Sequence, residues 1–420
     1  MPPTIAIPLD VPDVRVLSAT MNAAGDWVIT VDSTLTETTC RQCRRVITTR
    51  HGHDDWVTLR HVPILGARVF LRLRPQRYRC PDCTDRPTTT QQLDWYAPKS
   101  PHTTAYDRSL LVHLITSTIE DVSAKERVGG GAVLGAIDRC LGATVDWAQV
   151  SVIKTLGLDE IALKKGHRNF VVIVSARPGD GRTIILAVLP DRTKETVTQF
   201  LSTIPLAVRA TIKTVCTDLY DGYINAAKDV LPEARVVIDR FHVAKVYRDA
   251  ADTVRKVEIK RLKKELPAEE TEHCKGLLWV FRKNRRDLDA GEADTLDRVL
   301  EQSPALQQTY GLREALTAIF EEDLTKAAAM ERISAWQEQV RASGLTCFDR
   351  FLGTLDRWID EITNYFVDRQ SSGFVEGLNT KIKVIKRRWY GIFNVTHLFQ
   401  RICLDVEGYR RFGRPRPATH

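Results

Sequence analysis

At 420 residues the chain exceeds one ordinary domain, and about two to four are expected. Its 43% hydrophobic and 27% charged content excludes a disordered chain, and no apolar run reaches membrane-spanning length. The net charge of +8 favours a polyanionic partner, with nucleic acid first among them.

The start, Met1-Pro2-Pro3-Thr4, has neither the basic opening nor the apolar stretch of a signal peptide. A reducing cytoplasmic setting is therefore expected, and the nine cysteines read as metal ligands or free thiols rather than disulfides. After some short strands and loops, Cys40-Arg41-Gln42-Cys43 and Cys80-Pro81-Asp82-Cys83 bracket a 36-residue insert. Paired CxxC turns let four thiolates reach one ion, so Cys40, Cys43, Cys80 and Cys83 are expected to hold a structural Zn²⁺. His51, His53 and His61 lie within the insert and can replace a thiolate, although lone histidines are more often structural or exposed. Residues 40–83 carry ten arginines against three acids and no lysine. In Arg68-Val69-Phe70-Leu71-Arg72-Leu73-Arg74 the arginines alternate with apolar residues, as in a hairpin that buries one face. Arg72, Arg74 and Arg77 are the candidates there for phosphate contacts, which suit arginine's planar fork.

Between Tyr106 and Leu141 the period becomes helical and short. Leu110, Leu111, Leu114 and Ile115 form one stripe, a brief helix follows near 122–128, and Gly129-Gly130-Gly131 opens a third. Three short helices with tight turns suit a helix-turn-helix, and equally any small helical domain.

From Leu156 the pattern is that of strands: 156–161, 170–176 and 183–189, the last two joined by the turn Arg177-Pro178-Gly179-Asp180-Gly181. A helix over 193–204, a strand over 212–217, a helix over 220–230 and a strand over 235–239 complete a mixed α/β sheet. Asp159 lies in the first strand and Asp218 ends the fourth. If these strands are parallel neighbours, the two carboxylates meet at about the 4.8 Å strand spacing. Asp239 competes with them, but in Asp239-Arg240-Phe241-His242 it reads better as a helix cap that orients Arg240 or His242. Glu160 should point to the other side of the sheet from Asp159. His167, after Lys164-Lys165-Gly166, suits either a phosphate contact or an exposed turn.

Helix dominates residues 241–366, after which Gly373–Arg388 sorts its chemistry onto two faces. At about 100° per residue, Glu376, Thr380, Lys383 and Arg387 fall on one stripe and Leu378, Ile382, Ile385 and Trp389 on the other. One face can pack on a core while the other presents a carboxylate followed by cations. Lys381, Lys383, Lys386, Arg387 and Arg388 are the candidates for gripping a polyanion, against the alternative of a solvated basic face. Asp159, Asp218 and Glu376 together would repel one another unless divalent cations sat between them, and Mg²⁺ suits oxygen ligands and phosphate. Two such ions can activate a water or 3′-hydroxyl, and Mn²⁺ is a possible substitute.

Four blocks in order resemble the DDE transposases of bacterial insertion sequences, specifically the insertion-sequence L-three family. They are Gly157-Leu158-Asp159-Glu160-Ile161-Ala162 with Lys165-Gly166-His167; Cys216-Thr217-Asp218-Leu219-Tyr220; Val237-Ile238-Asp239-Arg240-Phe241-His242; and Gly373–Lys386. The paired CxxC segment ahead of a small helical domain matches as well. The resemblance implies an α/β fold: an RNase H-like mixed sheet with a large helical insertion, preceded by a zinc-binding β-rich domain and a small helix-turn-helix domain. It implies Asp159, Asp218 and Glu376 as the catalytic triad, cutting and joining DNA with Mg²⁺. Binding of the element's terminal inverted repeats and of target DNA, as a homodimer or larger assembly, is implied with it. The expected setting is the bacterial cytoplasm, at the nucleoid. Leu219 stands where the family often has methionine, and Ser371-Ser372 where an asparagine commonly precedes the glycine. The expected division is 1–95 for the zinc domain, 96–150 for the helix-turn-helix, 151–240 for the first part of the catalytic core, 241–366 for the insertion and 367–420 for the last catalytic helix and basic tail. Two rival readings are a non-catalytic DNA-binding descendant and a nuclease without strand transfer.

Overall fold

The computed structural model describes residues 8–163, 170–267, 276–369, 373–388 and 394–413, with side chains of the helix that starts at Gly373 described from Gly377 onward. The chain forms two compact units, one of Met1–Ala143 with Ile385–His420 and one of Thr144–Val384.

The first unit opens with β1 (Val14–Met21), β2 (Trp27–Ser33), β3 (Thr38–Thr39), β4 (Val46–Ile47), β5 (Arg50–His53), β6 (Val57–Ile64), β7 (Ala67–Leu73), β8 (Gln76–Arg79) and β9 (Thr88–Thr90). A four-stranded sheet runs β1-β2-β7-β6, and a three-stranded one β5-β8-β9. The alternation in β7 buries Val69, Leu71 and Leu73 and turns Arg72 outward, as a half-buried strand requires. β6 and β7 are the expected hairpin, but β7 also pairs in parallel with β2, Trp27 opposite Val69. Much of the cysteine-bracketed insert therefore builds a sheet core with Ile29, Val31, Leu59, Leu93 and Trp95.

Three helices follow, α1 (Thr104–Leu114), α2 (Ile119–Glu126) and α3 (Gly130–Cys140). Thr103 and Thr118 cap the first two with their hydroxyls. The link from α2 to α3 is three residues long, with Arg127 in the left-handed region and Gly129 as the cap of α3. Tyr106, Leu110, Leu111, Leu114, Val122, Val133 and Ile137 form their common core, which the helix Val395–Phe412 joins through Leu404. Within that helix Arg401 donates to the carbonyls of Leu114 and Ser117, and Gln400 to that of Leu141. Gly408 is required by closeness: a Cβ there would lie 2.9 Å from Ile115 side-chain carbons.

The second unit is built on β10 (Thr155–Ala162), β11 (Phe170–Arg177), β12 (Ile184–Leu189), α4 (Lys194–Thr203), β13 (Thr214–Thr217), α5 (Asp221–Val230) and β14 (Arg235–Ile238). Sheet order is β12-β11-β10-β13-β14. The first three strands are antiparallel neighbours, and β13 and β14 extend the sheet in parallel from β10. This is the RNase H-like arrangement. The turn between β11 and β12 places Gly179 at φ 115° and Gly181 at φ 81°, which side chains with a Cβ rarely adopt. Beyond it come α6 (Arg240–Glu265), α7 (Ala290–Glu301), α8 (Pro304–Glu321), α9 (Lys326–Ser343) and α10 (Asp349–Thr363), ahead of α11 (Gly373–Arg388). Trp336 anchors the helical insertion, donating from Nε1 to the Leu312 carbonyl at 2.8 Å with Phe348 and Phe351 edge-on to its ring. Trp279 is 67% exposed.

Candidate active site and zinc centre

The register of the central strands sets the site. β10 and β13 are parallel with Leu158 opposite Thr217, so Asp159 and Asp218 are the next pair along. Asp159 Oδ1 accepts the Glu160 N–H at 2.6 Å, and its Oδ2 accepts from the Asn379 carboxamide on α11. Asp218 Oδ1 faces His242 Nδ1 at 3.1 Å, and the same nitrogen lies 3.3 Å from Asp239 Oδ2. Asp239 itself caps α6, accepting the Phe241 N–H at 3.0 Å, as the sequence suggested.

Crowding of like charge in a half-buried place fixes the protonation here. Burial, then the neighbouring Asp159, pushes the Asp218 carboxyl up to about 8. Asp159 is raised too, chiefly by burial and against the bond from Glu160 N–H. His242 is raised, first by its bond to Asp239 and, against burial, by the charge of Asp218 beside it. A pair of acids held in this way fits a divalent cation. Glu160 turns toward another group, Arg192 at 3.3 Å, whose guanidinium lies against the Phe170 and Tyr220 rings. Asp221 pairs with Arg357 at 2.6 Å and accepts from Trp358 Nε1 at 3.1 Å, which separates it from the pair.

Helix α11 has the two expected faces. Leu378, Ile382 and Ile385 are buried, while Thr380, Lys381, Lys383, Arg387 and Arg388 are exposed and Lys386 is half-buried. Glu376 sits in the helix one turn before Asn379, and its side chain lies outside the described residues, as do Lys165, His167, Ser371, Ser372 and Trp389. Asn379, 6% exposed, is the residue that the two-stripe reading missed. A polar residue on the boundary between an apolar and a charged stripe carries little pattern of its own. Its signal was its place, three residues after the chosen glutamate.

The four cysteines of the paired motifs come together. Their sulfurs all lie within 4.8 Å of one another, Cys43 and Cys80 at 3.6 Å, close to the roughly 3.8 Å that tetrahedral Zn–S bonds of about 2.3 Å would set. Backbone N–H groups of Cys43 and Gln42 draw the Cys40 thiol down to about 6. No histidine joins this cluster among the described residues. His61 is instead buried between Thr103 Oγ1 and the Leu9 carbonyl, and His51 contacts Arg79. Of the arginines proposed for phosphate, Arg72 is exposed over the Trp56 ring and Arg74 is exposed with Nε on the Asp54 carbonyl. Arg77 is half-buried and donates to Thr88 at 2.6 Å.

Two family models match the chain. Residues 156–402 match the family model described as "Transposase", of the insertion-sequence L-three group, and residues 36–83 match the zinc-finger of transposase IS204/IS1001/IS1096/IS1165. The transposase for insertion sequence element IS1001 of Bordetella parapertussis is 30% identical over 374 residues, covering 89% of each chain. That for IS1557 of Mycobacterium tuberculosis is 24% identical over 379 residues, 85% of this chain and 81% of the other. A Drosophila P element transposase strand transfer complex is a looser likeness, with TM-score 0.43 at 9% identity over 75% of this chain and 94% of that one. No described helix is long and apolar enough to cross a membrane. With a matched core running through both aspartates and a relative of nearly equal span, the chain belongs to the DDE transposases of the insertion-sequence L-three family.

Proposed function

We propose that Asp159, Asp218 and Glu376 are the catalytic acids of a DNA transposase that binds the terminal inverted repeats of its element and inserts those ends into target DNA. The observation that carries this reading is the meeting of Asp159 and Asp218 on adjoining strands, both carboxyls raised, with α11 tied to Asp159 through Asn379. The three acids would hold two Mg²⁺ ions, with Mn²⁺ as a substitute. Bound there, the metal supplies charge neutralisation on the phosphate and a lowered pKa for an attacking water or hydroxyl.

The chain's own residues do the rest by position. Glu160 N–H and Asn379 fix the Asp159 carboxylate, and His242 holds Asp218. The cations Lys381, Lys383, Lys386, Arg387 and Arg388 on α11 would grip phosphates flanking the scissile one. Cleavage exchanges one bond for another: the P–O bond to water forms in line as the P–O3′ bond breaks, and the water's proton passes through solvent to the departing 3′ oxygen. In strand transfer that 3′-hydroxyl replaces a bridging oxygen of target DNA in the same way. Arg72, Arg74 and Arg77 in the zinc-bearing unit and the α2–α3 pair would bind the end sequence, with two or more copies holding two ends. The setting is the cytoplasm, at the nucleoid.

Alanine at Asp159, Asp218 or Glu376, assayed on end DNA with Mg²⁺, should each lower cutting at least about a hundredfold without loss of end binding. Undiminished cutting by one variant removes that residue from the triad. A target plasmid offered as acceptor separates transposition from simple nicking.

A further inference from the structure

We infer that Asn379 is a positioning residue of this site: its carboxamide N–H fixes the outer oxygen of Asp159, and its carbonyl oxygen offers a buried acceptor to a water beside the acids. The inference rests on the assignment of Asp159 as a catalytic acid and goes beyond the triad.

Two observations carry it. Both oxygens of Asp159 are already engaged by the protein, Oδ1 by the Glu160 N–H at 2.6 Å and Oδ2 by Asn379 Nδ2. Each oxygen keeps a further lone pair, so the carboxylate is held against rotation while still able to bind a cation. Turning the Asn379 amide over would set its oxygen against Asp159 Oδ2, acceptor to acceptor, so the donor belongs on the Asp159 side. The second observation is what this orientation leaves behind. Asn379 is 6% exposed, and its Oδ1 has no hydrogen-bond partner among the described residues. A buried acceptor among carboxylates is satisfied only by a donor, and water is the donor that a hydrolytic site contains.

Position along the helix adds a mechanical consequence. Residues three apart on a helix share a face, so the bond from Asn379 to β10 also holds the turn that carries Glu376. Loosening that bond would disturb metal geometry. Mg²⁺, which demands near-ideal octahedral coordination, should suffer more than Mn²⁺.

The test is single-turnover cleavage of end DNA by the full chain in Mg²⁺ and in Mn²⁺, with end affinity and Tm measured alongside. Asn379→Ala and the isosteric Asn379→Asp should each slow cleavage in Mg²⁺ by roughly 10–100-fold, the range for groups that orient metal ligands. Asn379→Ala should also raise the half-saturating Mg²⁺ concentration, keep wild-type end affinity and recover about tenfold in Mn²⁺. Wild-type rates in Mg²⁺ overturn the inference. So does an equal loss in both metals with unchanged half-saturation, the signature of mere packing. Should Asn379→Ala fail to fold, Asn379→Asp decides alone: slowed cleavage in Mg²⁺ with end affinity kept supports the role, and a wild-type rate removes it. Asp159→Asn run in parallel separates the two claims. Its normal cutting would sink the site assignment itself, whereas normal cutting by the Asn379 variants alone would sink only this one.

Discussion

Asp218 has Asp159 and Asp239 for neighbours and His242 to offset them, and its carboxyl is pushed up to about 8. Without metal the folded protein keeps a proton that the unfolded chain gives up near the ordinary carboxylate value of about 3.9. More protons on the folded side mean that stability falls as pH rises through that window, up to about 8. Asp218→Asn should therefore raise Tm at pH 8 in chelator while abolishing end cleavage, and should change Tm little at pH 4. Added Mg²⁺ should raise the wild-type Tm at pH 8 and not that of the variant. A variant that melts below wild type at pH 8 in chelator would contradict the crowding of charge described here. The aspartates were legible because acids at the ends of apolar runs stand out, and Asp239 because the helical pattern begins just after it. Asn379 was not, since its importance lies in a bond across more than two hundred residues of sequence rather than in any local period.

Among the elements, α11 was the most readable, because a helix that packs on one side must segregate its residues and this one does. Its exposed cations make a quantitative claim. The double variant Lys383→Glu, Arg387→Glu should weaken end binding and flatten the plot of log affinity against log salt by about 0.9 for each phosphate that is no longer neutralised. Titrations across a range of KCl read this directly, and an unchanged slope would return the stripe to the role of a solvated face. In the insertion, Trp336→Ala should cost about 3–5 kcal/mol in denaturant unfolding, since it removes an indole packed between two rings and its bond to Leu312. The strands of the second unit were legible to within a residue or two, and so was α4, whose first turn the Thr193 hydroxyl caps. The sheet of the first unit was not. Its parallel pairing of β2 with β7 joins segments some forty residues apart, and alternation within a strand says nothing about its partner.

For the whole molecule, the two units divide the chemistry. Asp159, Asp218 and Glu376 all belong to Thr144–Val384, while the four cysteines belong to the other unit. One zinc per chain is expected by elemental analysis, and Cys80→Ser should abolish it. That variant should lose sequence-specific end binding, yet leave the transition of the catalytic unit within a few degrees of wild type in a thermal scan followed by hydrogen exchange. The linear sequence pointed to five consecutive segments. It could not reveal that the first unit is discontinuous, because Val395–Phe412 reads locally as one more amphipathic helix. Its real partners are Tyr106, Leu110 and Leu114, far back in the chain.

That closing helix imposes an order in time on the protein's birth. While the ribosome is still working through the catalytic unit, α1–α3 wait with Leu404 missing from their core and with the Ile115 surface that fits Gly408 uncovered. At roughly 5–20 residues per second the wait is on the order of tens of seconds. A product that stops short of Val395 would keep Asp159, Asp218, Glu376 and the four clustered cysteines but carry an unfinished first unit. The chain thus completes that unit only once Val395–Phe412 has been translated, and a stop before that helix yields no finished substitute.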